Sequence, residues 1–340
     1  MIGTNCNNRA IDPHSSVNVM MSRLILLLCL VCSSCGGKDK IEYQPADVAD
    51  LSTLMREWKN LDAESQSDSM ARYRPEIMAF MSTITDVDIT PEVIDNWSRS
   101  LAVARFTPAV DSVFPTREPL YAALGHILGA ASDRGLELPQ RRYAAVVWGR
   151  RESVLFTDSV MLIALNHYLG PEYEGYGRWP VYRRMDKSPV RLPYDMAEAL
   201  TGTSYPYTAS AGDATLLSRM LYHGALAYAV MQLVPDACEA DALGYNAEDY
   251  RWIEANESDI WSRIVAEKLL YDTSDAVGDR FVMPSPAVRC GDAVFPGRIG
   301  RYIGYRIVKD FVAAHPDTQL PELLAPSFYN SVAPLDFYGK

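Results

Sequence analysis

Apolar side chains in the first third of the chain recur at spacings of three and four residues, the period of a helix with one buried face. Leu51, Met55 and Trp58 belong to such a set. Thr90-Pro91-Glu92 is typical of a helix start, because threonine caps the first turn and proline fits inside it. We therefore predict that residues 48–136 are mostly helical, and that helices also cover 213–234, 247–271 and 296–314.

Two short segments in the middle of the chain have β character. Residues 142–148 and 153–156 are rich in valine and aromatic residues and are separated by Gly149-Arg-Arg-Glu152, which predicts a hairpin or strand pair. Asp158 is expected to cap a helix that continues to Leu169 and ends at Gly170-Pro171. These patterns predict an α+β domain that is predominantly α-helical and has one small β-sheet.

A signal peptide is predicted at the amino terminus. The apolar run 24–31 follows Arg23 and precedes Cys32-Ser-Ser-Cys35, so basic, apolar and small-residue zones come in signal-peptide order. The run is shorter than the ~20 apolar residues that a membrane span requires. We predict that residues 1–34 are removed, that Met21 is the natural start, and that Cys35 carries the lipid. Simple secretion and a retained anchor are the alternatives.

The lipid on Cys35 would attach the protein to a membrane. Residues 35–46 are predicted to form a lipidated tether, and 47–340 the globular domain, with a helical part at 47–140 and a second part at 141–340. Gly36-Gly37 follows the cysteine where an aspartate often retains lipoproteins at the inner membrane. The sequence therefore favours the outer membrane, with either the periplasmic or the surface face.

The chain is acidic, with a formal net charge of −11. No basic run or aromatic RNA-binding motif offsets this charge, so we expect no nucleic-acid partner. Beyond the predicted signal segment only Cys238 and Cys290 remain, which excludes a disulfide framework. These two cysteines either form one bridge or are two buried thiols.

Two segments are candidates for contacts with a ligand or partner. Arg298, Tyr302 and Arg306 recur every four residues and are predicted to form one stripe, which either binds something or is a solvated helix face. Gly297, Gly300 and Gly304 interleave with them and predict close helix packing, with a ligand contact as the alternative. The loop 173–184 holds three tyrosines, three arginines and Trp179, the composition of a contact surface or of an ordered surface loop.

Four stretches together resemble the gliding-motility lipoproteins of the GldB type. They are the lipoprotein start, Thr157-Asp-Ser-Val-Met-Leu-Ile-Ala-Leu-Asn-His-Tyr-Leu-Gly170, Ile253-Glu-Ala-Asn-Glu-Ser-Asp-Ile-Trp261 with Glu267-Lys-Leu-Leu-Tyr271, and Pro296-Gly-Arg-Ile-Gly-Arg-Tyr-Ile-Gly-Tyr-Arg-Ile-Val308. The resemblance covers most of the chain after the signal segment. One departure is Asn166-His167, where the family is expected to have Asp and an apolar residue.

The family is also distantly similar to predicted zinc peptidases, in which a long helix after a small sheet carries His-Glu-x-x-His. Two histidines one turn apart hold zinc there, and the glutamate deprotonates the metal-bound water. The corresponding residues here are His223-Gly-Ala-Leu-Ala227, so Gly224 replaces the base and Ala227 the second ligand. The resemblance therefore implies a degenerate metallopeptidase-like core at 141–340 with no metal, no cofactor and no catalytic residues. His223 is expected to be a packed or hydrogen-bonded helix residue, and it is also a possible binding residue of the cleft.

The resemblance implies a non-enzymatic lipoprotein of the cell envelope that supports gliding motility or the associated secretion machinery. Its expected partners are the membrane, through the lipid, and envelope proteins of that machinery. The alternative is an envelope lipoprotein that binds peptides or glycans in a vestigial peptidase cleft. An active hydrolase is a third hypothesis, for which the sequence lacks the catalytic residues.

Overall fold

The computed structural model of the chain describes residues 41–339. The described residues from Tyr43 onward form one compact unit. The predicted signal peptide, the lipidation site Cys35 and the first part of the predicted tether lie outside the described residues. The helical and sheet segments below all belong to the compact unit.

A four-stranded sheet lies in the middle of this unit, with the strand order β1-β2-β4-β3. The strands are β1 (Val48–Asp50), β2 (Arg142–Val146), β3 (Val154–Phe156) and β4 (Val160–Ala164). Strands β1, β2 and β4 are parallel, and β3 pairs with β4 in the antiparallel direction. A separate hairpin is formed by β5 (Val288–Cys290) and β6 (Ala293–Phe295).

The sheet separates two hydrophobic cores, because neighbouring side chains along a strand point to opposite faces. Ala144 of β2 and Leu162 of β4 face the smaller core, which contains Trp58 and other side chains of the amino-terminal helices. Ala145 and Ile163 face the larger core. Both middle strands are therefore buried on both faces, which explains their continuous apolar sequence.

Helices surround the sheet and supply most of the chain. Those before β2 are α1 (Leu51–Glu57), α2 (Ala63–Arg72), α3 (Arg74–Ser82), α4 (Pro91–Ser98), α5 (Leu101–Val113) and α6 (Glu118–Asp133). After β4 come α7 (Val181–Met185), α8 (Arg191–Ser204), α9 (Leu216–Leu233), α10 (Glu239–Leu243), α11 (Ala247–Ala255), α12 (Glu257–Ala266), α13 (Asp275–Val282), α14 (Ile299–Ala314), α15 (Leu320–Leu323) and α16 (Pro326–Tyr329). Short 3-10 helices lie at Trp58–Asn60, Leu165–His167, Glu174–Tyr176 and Ala333–Phe337.

The amino-terminal helices begin where the sequence places capping residues. The Thr90 hydroxyl accepts a hydrogen bond from the backbone N–H of Val93, so α4 begins as predicted. Asp50 caps α1 in the same way by accepting from Thr53. The prediction of a mostly helical segment from 48 to 136 is confirmed, apart from the three residues of β1.

The middle of the chain differs from the prediction. The segment from Asp158 to Leu169 is not a helix: it forms β4 and a 3-10 turn. A short apolar run that is buried on all sides has no helical or strand periodicity to distinguish the two, and its β-branched content favoured the strand. Because β4 lies between β2 and β3, these two strands do not pair with one another, and the predicted hairpin is wrong in its pairing.

The last residues of the predicted tether pack against α6. The Tyr43 hydroxyl donates a hydrogen bond to Asp133 over 2.5 Å, and the Ala46 backbone N–H donates to the carbonyl of Tyr121 over 2.8 Å. Gly129 allows this approach, because a Cβ there would lie 2.0 Å from the Tyr43 ring. The compact unit therefore begins a few residues before the predicted boundary.

Helices α9 and α14 form the centre of the larger core. Helix α9 is capped by Thr215, whose hydroxyl accepts from the Ser218 N–H over 3.1 Å, so the helix starts slightly later than the predicted residue 213. It is buried on nearly all sides. Gly224 of α9 and Gly304 of α14 lie at the crossing, where an added Cβ on Gly304 would lie 1.7 Å from the carbonyl oxygen of Met220. The predicted close packing by glycines is confirmed.

Candidate functional site

Two adjoining cavities lie near the carboxyl ends of the parallel strands β2 and β4. We call them the basic cavity, of about 880 Å³, and the inner cavity, of about 470 Å³. The side chains common to both are Arg151, Trp179, Arg183 and Lys187. Loops that follow parallel strands meet at one edge of a sheet, and ligand sites of α/β proteins are frequently found there.

Asn166 holds the ends of β2 and β4 together. Its side-chain oxygen accepts from the backbone N–H of Trp148 over 3.1 Å, and its amide donates to the Trp148 carbonyl over 2.8 Å. Only an amide can make both bonds, since an ionised carboxylate has no proton to donate. Asn166, which stands where the family is expected to have aspartate, therefore has a structural role. Its two hydrogen bonds fix the start of the loop that carries Arg150 and Arg151.

His167 and Lys187 form a buried contact in the wall of the basic cavity. The His167 Nε2 atom lies 3.0 Å from the Arg150 carbonyl, and its Nδ1 atom lies 2.6 Å from the Lys187 ammonium. Burial, with Lys187 beside it, lowers the pKa of His167 to about 3, so the ring is neutral at neutral pH. A neutral ring that donates from Nε2 and accepts at Nδ1 satisfies both contacts.

Lys187 is only 8% exposed, and its nitrogen lies 4.9 Å from the centroid of the Trp179 ring. Burial lowers the pKa of Lys187 to about 8, although the carboxylates of Asp195 and Asp186 oppose this change. The side chain is therefore still mostly protonated at pH 7. Lys187 places a positive charge between the two cavities.

The inner cavity is lined by ion pairs, both between helices and within one helix. Arg301 at the start of α14 donates two hydrogen bonds of 2.7 Å to the carboxylate of Glu198 on α8. Arg191 donates to Asp195 of the same helix over 2.7 Å. Burial opposes the charge of Glu198, but Arg301 more than compensates and lowers the pKa of this carboxyl to about 2. Glu198 is therefore ionised and engaged, and is poorly suited to act as a general base near neutral pH.

His223 projects from α9 into the inner cavity. Burial, followed by the positive charge of Arg301, lowers the pKa of His223 to about 4, and Glu198 opposes this change. Gly224 is in contact with Gly304, and Ala227 is fully buried. Gly224 and Ala227, at the two positions that would complete a zinc-peptidase motif, are therefore both packed inside the core.

The structure separates the three predicted stripe residues. Arg298 precedes α14 in a left-handed conformation, with φ of 63°, and it donates to Asp186 over 2.6 Å in the wall of the inner cavity. Tyr302 is fully buried, and its hydroxyl donates to Glu257 over 2.7 Å. Arg306 pairs with the same carboxylate at 3.0 Å. Tyr302 and Arg306 thus hold α12 against α14, and the three residues form neither one surface nor a solvated face.

Trp179 and the loop around it form the wall that divides the two cavities. Of the predicted site residues, the structure therefore brings together Trp179, His223 and Arg298. The sequence had not singled out Lys187, Arg301 or Glu198. The sequence of α8 does contain an indication of an ion-pair cluster, because Arg191, Asp195 and Glu198 recur there at helical spacing.

Cys290 is a free, buried thiol, so it does not pair with Cys238. Within residues 41–339, no group of three or more His, Cys, Asp or Glu side chains is arranged to hold a metal ion. In the same part of the chain, no helix has both the length and the apolar character needed to cross a membrane.

Fold and cavities together define an α+β, predominantly helical protein with a basic cleft at the end of a small sheet. The chain belongs to the family described as gliding motility protein GldB, whose family model matches residues 39–331. Membership associates the chain with gliding motility, and the lipoprotein label in the family's name agrees with a lipid-anchored envelope protein. The search of curated proteins and the search of solved structures gave no significant match. The distant likeness to zinc peptidases therefore stays a prediction.

Proposed function

We propose that this protein is a non-enzymatic lipoprotein of the outer membrane that supports the gliding machinery or its associated secretion apparatus. The family match over residues 39–331 carries this proposal. The cleft supports the non-enzymatic part, because Gly224 stands where a peptidase has its base and the nearby carboxylate of Glu198 is paired with Arg301. The predicted lipid on Cys35 supplies the anchor, and the protein acts by binding envelope partners.

In-cell crosslinking tests this role. The lipidated protein is crosslinked in its own host, and its neighbours are identified by mass spectrometry. Cys35→Ser, which leaves the globular domain intact but without its anchor, is the matched control. Motility or secretion components that are captured by the native chain and lost with Cys35→Ser are the expected result. Capture of unrelated envelope proteins alone would refute the proposed role.

A second candidate function is the binding of a peptide or glycan in the cleft. The observation that favours it is the pair of adjoining cavities with arginine and aromatic walls, since binding sites combine apolar surface with a few well-placed polar groups. A soluble ligand of either class should raise the melting temperature, because it binds only the folded chain. If no member of a panel of peptides and oligosaccharides stabilises the protein, this second function is excluded for those ligands.

A further inference from the structure

The basic cavity has an unusual charge for this acidic chain. Its lining includes six cationic side chains: Arg105, Arg150, Arg151, Arg178, Arg183 and Lys187. No Asp or Glu of the part of the chain that the structure describes lines it. Since the whole chain carries a net charge of −11, this concentration of positive charge is local. A cavity lined by one sign of charge attracts ligands of the opposite sign.

The charges of this cavity are largely uncompensated. Among residues 41–339, Arg105, Arg151, Arg178 and Arg183 form no salt bridge, whereas Arg150 reaches Glu152 at 3.3 Å. In the inner cavity, by contrast, each of the three best buried guanidinium groups meets a carboxylate. The cationic groups of the basic cavity are therefore largely available to a ligand, whereas the guanidinium groups that line only the inner cavity are already paired.

Lys187 gives the strongest indication of an anionic ligand. It is buried to more than nine-tenths, and no carboxylate of the described residues lies within salt-bridge distance of its nitrogen. Among the described residues, the one hydrogen-bond partner of its ammonium group is the neutral ring of His167, at 2.6 Å. A buried cation with no carboxylate in direct contact is costly, and an oxyanion of a ligand beside Lys187 would offset that cost.

Aromatic side chains provide the apolar walls of the basic cavity. Phe106, Trp179 and Tyr182 are half-buried and line it. The guanidinium of Arg105 lies 5.6 Å from the Phe106 ring, and that of Arg183 lies 5.6 Å from the Tyr182 ring. Flat apolar faces beside forked cationic groups suit a ring-shaped ligand that carries anionic substituents, because the ring stacks and the oxyanion pairs with arginine.

Several backbone N–H groups of the loop that walls the cavity are already hydrogen-bonded within the loop. The Trp179 N–H donates to the Tyr176 carbonyl over 2.8 Å, and the Lys187 N–H donates to the Arg184 carbonyl over 2.9 Å. The N–H of Arg183 likewise donates to Pro180 over 3.0 Å. An extended peptide that adds to a protein needs free backbone groups at an edge. This loop therefore favours a ligand that is recognised mainly by side chains.

We propose that the basic cavity binds an acidic saccharide, whose sugar rings stack on Trp179 and Tyr182 and whose carboxylate or phosphate groups pair with Lys187 and the surrounding arginines. The volume of about 880 Å³ falls in the range of ordinary small-ligand sites and accommodates a short oligosaccharide. This inference rests on the second candidate function, because it names the ligand class of that cleft.

Calorimetric titration of the full chain in a neutral, sugar-free detergent tests the proposal. Tri-galacturonic acid supplies carboxylates and glucose 6-phosphate supplies a phosphate, whereas maltotriose is the uncharged control. We expect at least one of the two acidic sugars to bind, with an affinity that falls as salt is added, and maltotriose not to bind. The acidic sugar that binds identifies which oxyanion the cavity takes.

Arg151→Gln combined with Arg178→Gln locates the site, because both side chains are exposed and line the basic cavity. The matched control combines Arg251→Gln with Arg289→Gln, which removes the same charge at exposed positions that do not line the basic cavity. Loss of two charge-assisted contacts should weaken binding by about tenfold or more, whereas the control should stay within about twofold of the native chain. Equal affinities of the two double variants would overturn the assignment to this cavity.

A triglutamate peptide separates the two proposals. If it binds as tightly as the acidic sugars or more tightly, the ligand class proposed here is wrong, while the second candidate function stands. If neither the acidic sugars nor the peptide binds, both the ligand class and binding of such ligands by the cleft are refuted.

Discussion

Gly224 of α9 and Gly304 of α14 face one another at the helix crossing, so that a Cβ on Gly224 would lie 2.1 Å from the carbonyl carbon of Gly304. The atoms that it would meet belong to the backbone, which cannot rotate away as a side chain does. In the predicted likeness to zinc peptidases, Gly224 would stand at the position of the catalytic glutamate. A side chain of that size at position 224 is incompatible with the observed packing, so the absence of the base and the geometry of the core are coupled.

Gly224→Ala is therefore expected to destabilise the protein. Separating the two helices to admit one methyl group should lower the free energy of unfolding by about 2 kcal/mol or more, the usual cost of overpacking a core. Urea denaturation measures this change. Gly212→Ala is the control, since an added Cβ there meets nothing within 4 Å. Equal stabilities of the two variants would show that the helices separate at no cost.

Asn166→Asp tests the clamp between β2 and β4, that is, the two hydrogen bonds between the Asn166 side chain and the Trp148 backbone. The substitution restores the residue expected in the family, but it removes the proton that is donated to the Trp148 carbonyl and places a buried carboxylate beside that oxygen. We expect the free energy of unfolding to fall by about 2 kcal/mol, since breaking one side of a buried hydrogen-bonded pair leaves the other unsatisfied. Asn60→Asp, at an exposed position, is the control. Unchanged stability of Asn166→Asp would mean that the clamp contributes nothing.

The fold class and many of the helices could be predicted from the sequence, because caps and helical spacing act locally. Thr90 fixed the start of α4, and the glycines of α14 indicated close packing. Strand β4 could not be predicted, since an apolar run buried on both faces has no periodicity. Residue type alone also misleads in α11, where the large apolar Trp252 is 43% exposed and neighbouring Ile253 is buried instead.

The candidate site was predicted only in part. Trp179 and its loop were recognised from composition, and His223 from its likeness to a zinc-peptidase motif. The pairs Arg301–Glu198 and His167–Lys187 join residues that are 103 and 20 positions apart, so their proximity depends on the tertiary fold. Arg298 and Tyr302 are four positions apart but reach different carboxylates, because Arg298 leaves the helix through its left-handed backbone.

The stability of the protein should decrease in mild acid because of His223. In the folded chain, burial and the charge of Arg301 lower the pKa of His223 to about 4, although Glu198 opposes this change. A histidine in the unfolded chain has a pKa of about 6.5. The unfolded state therefore binds the proton first, and stability that is complete above about pH 6.5 is lost as the pH falls towards 4. The full difference corresponds to about 3 kcal/mol.

Urea denaturation of the native chain and of His223→Gln at pH 7 and pH 4.5 measures this contribution. The native chain should lose about 2 kcal/mol more than the variant between the two pH values. Glutamine cannot take up a proton in this range, so it removes the effect of His223 and leaves that of other groups. An identical loss in both proteins would mean that His223 is protonated equally easily in the folded and unfolded states.

Cys35→Ser should release the protein from membranes. The predicted lipid is attached through the thiol of Cys35, and serine offers none. Fractionation of cells that produce the native or the altered chain should find the native protein with the membranes and the variant in the soluble fraction. A variant that sediments with membranes as fully as the native chain would refute the anchor.

Arg301 and Glu198 should contribute strongly to stability when both are present, and the loss of one partner should cost more than the loss of both. The Arg301 side chain is 8% exposed and donates two hydrogen bonds to a carboxylate that is itself 26% exposed. Removing one partner leaves a poorly solvated charge, so Arg301→Met is expected to lower the free energy of unfolding by about 3 kcal/mol or more. Adding Glu198→Leu to this variant should restore much of the loss, because no unpaired charge then remains.

A double-mutant cycle measured by urea denaturation gives the coupling energy between the two residues. The exposed pair Arg263–Asp292, with side chains 42% and 81% exposed, provides the matched comparison, and its coupling should stay below about 1 kcal/mol. A coupling for Arg301–Glu198 no larger than that of the exposed pair would show that water screens the inner cavity. The assignment of Glu198 as a permanently engaged carboxylate would then fail, and with it one support for a non-enzymatic cleft.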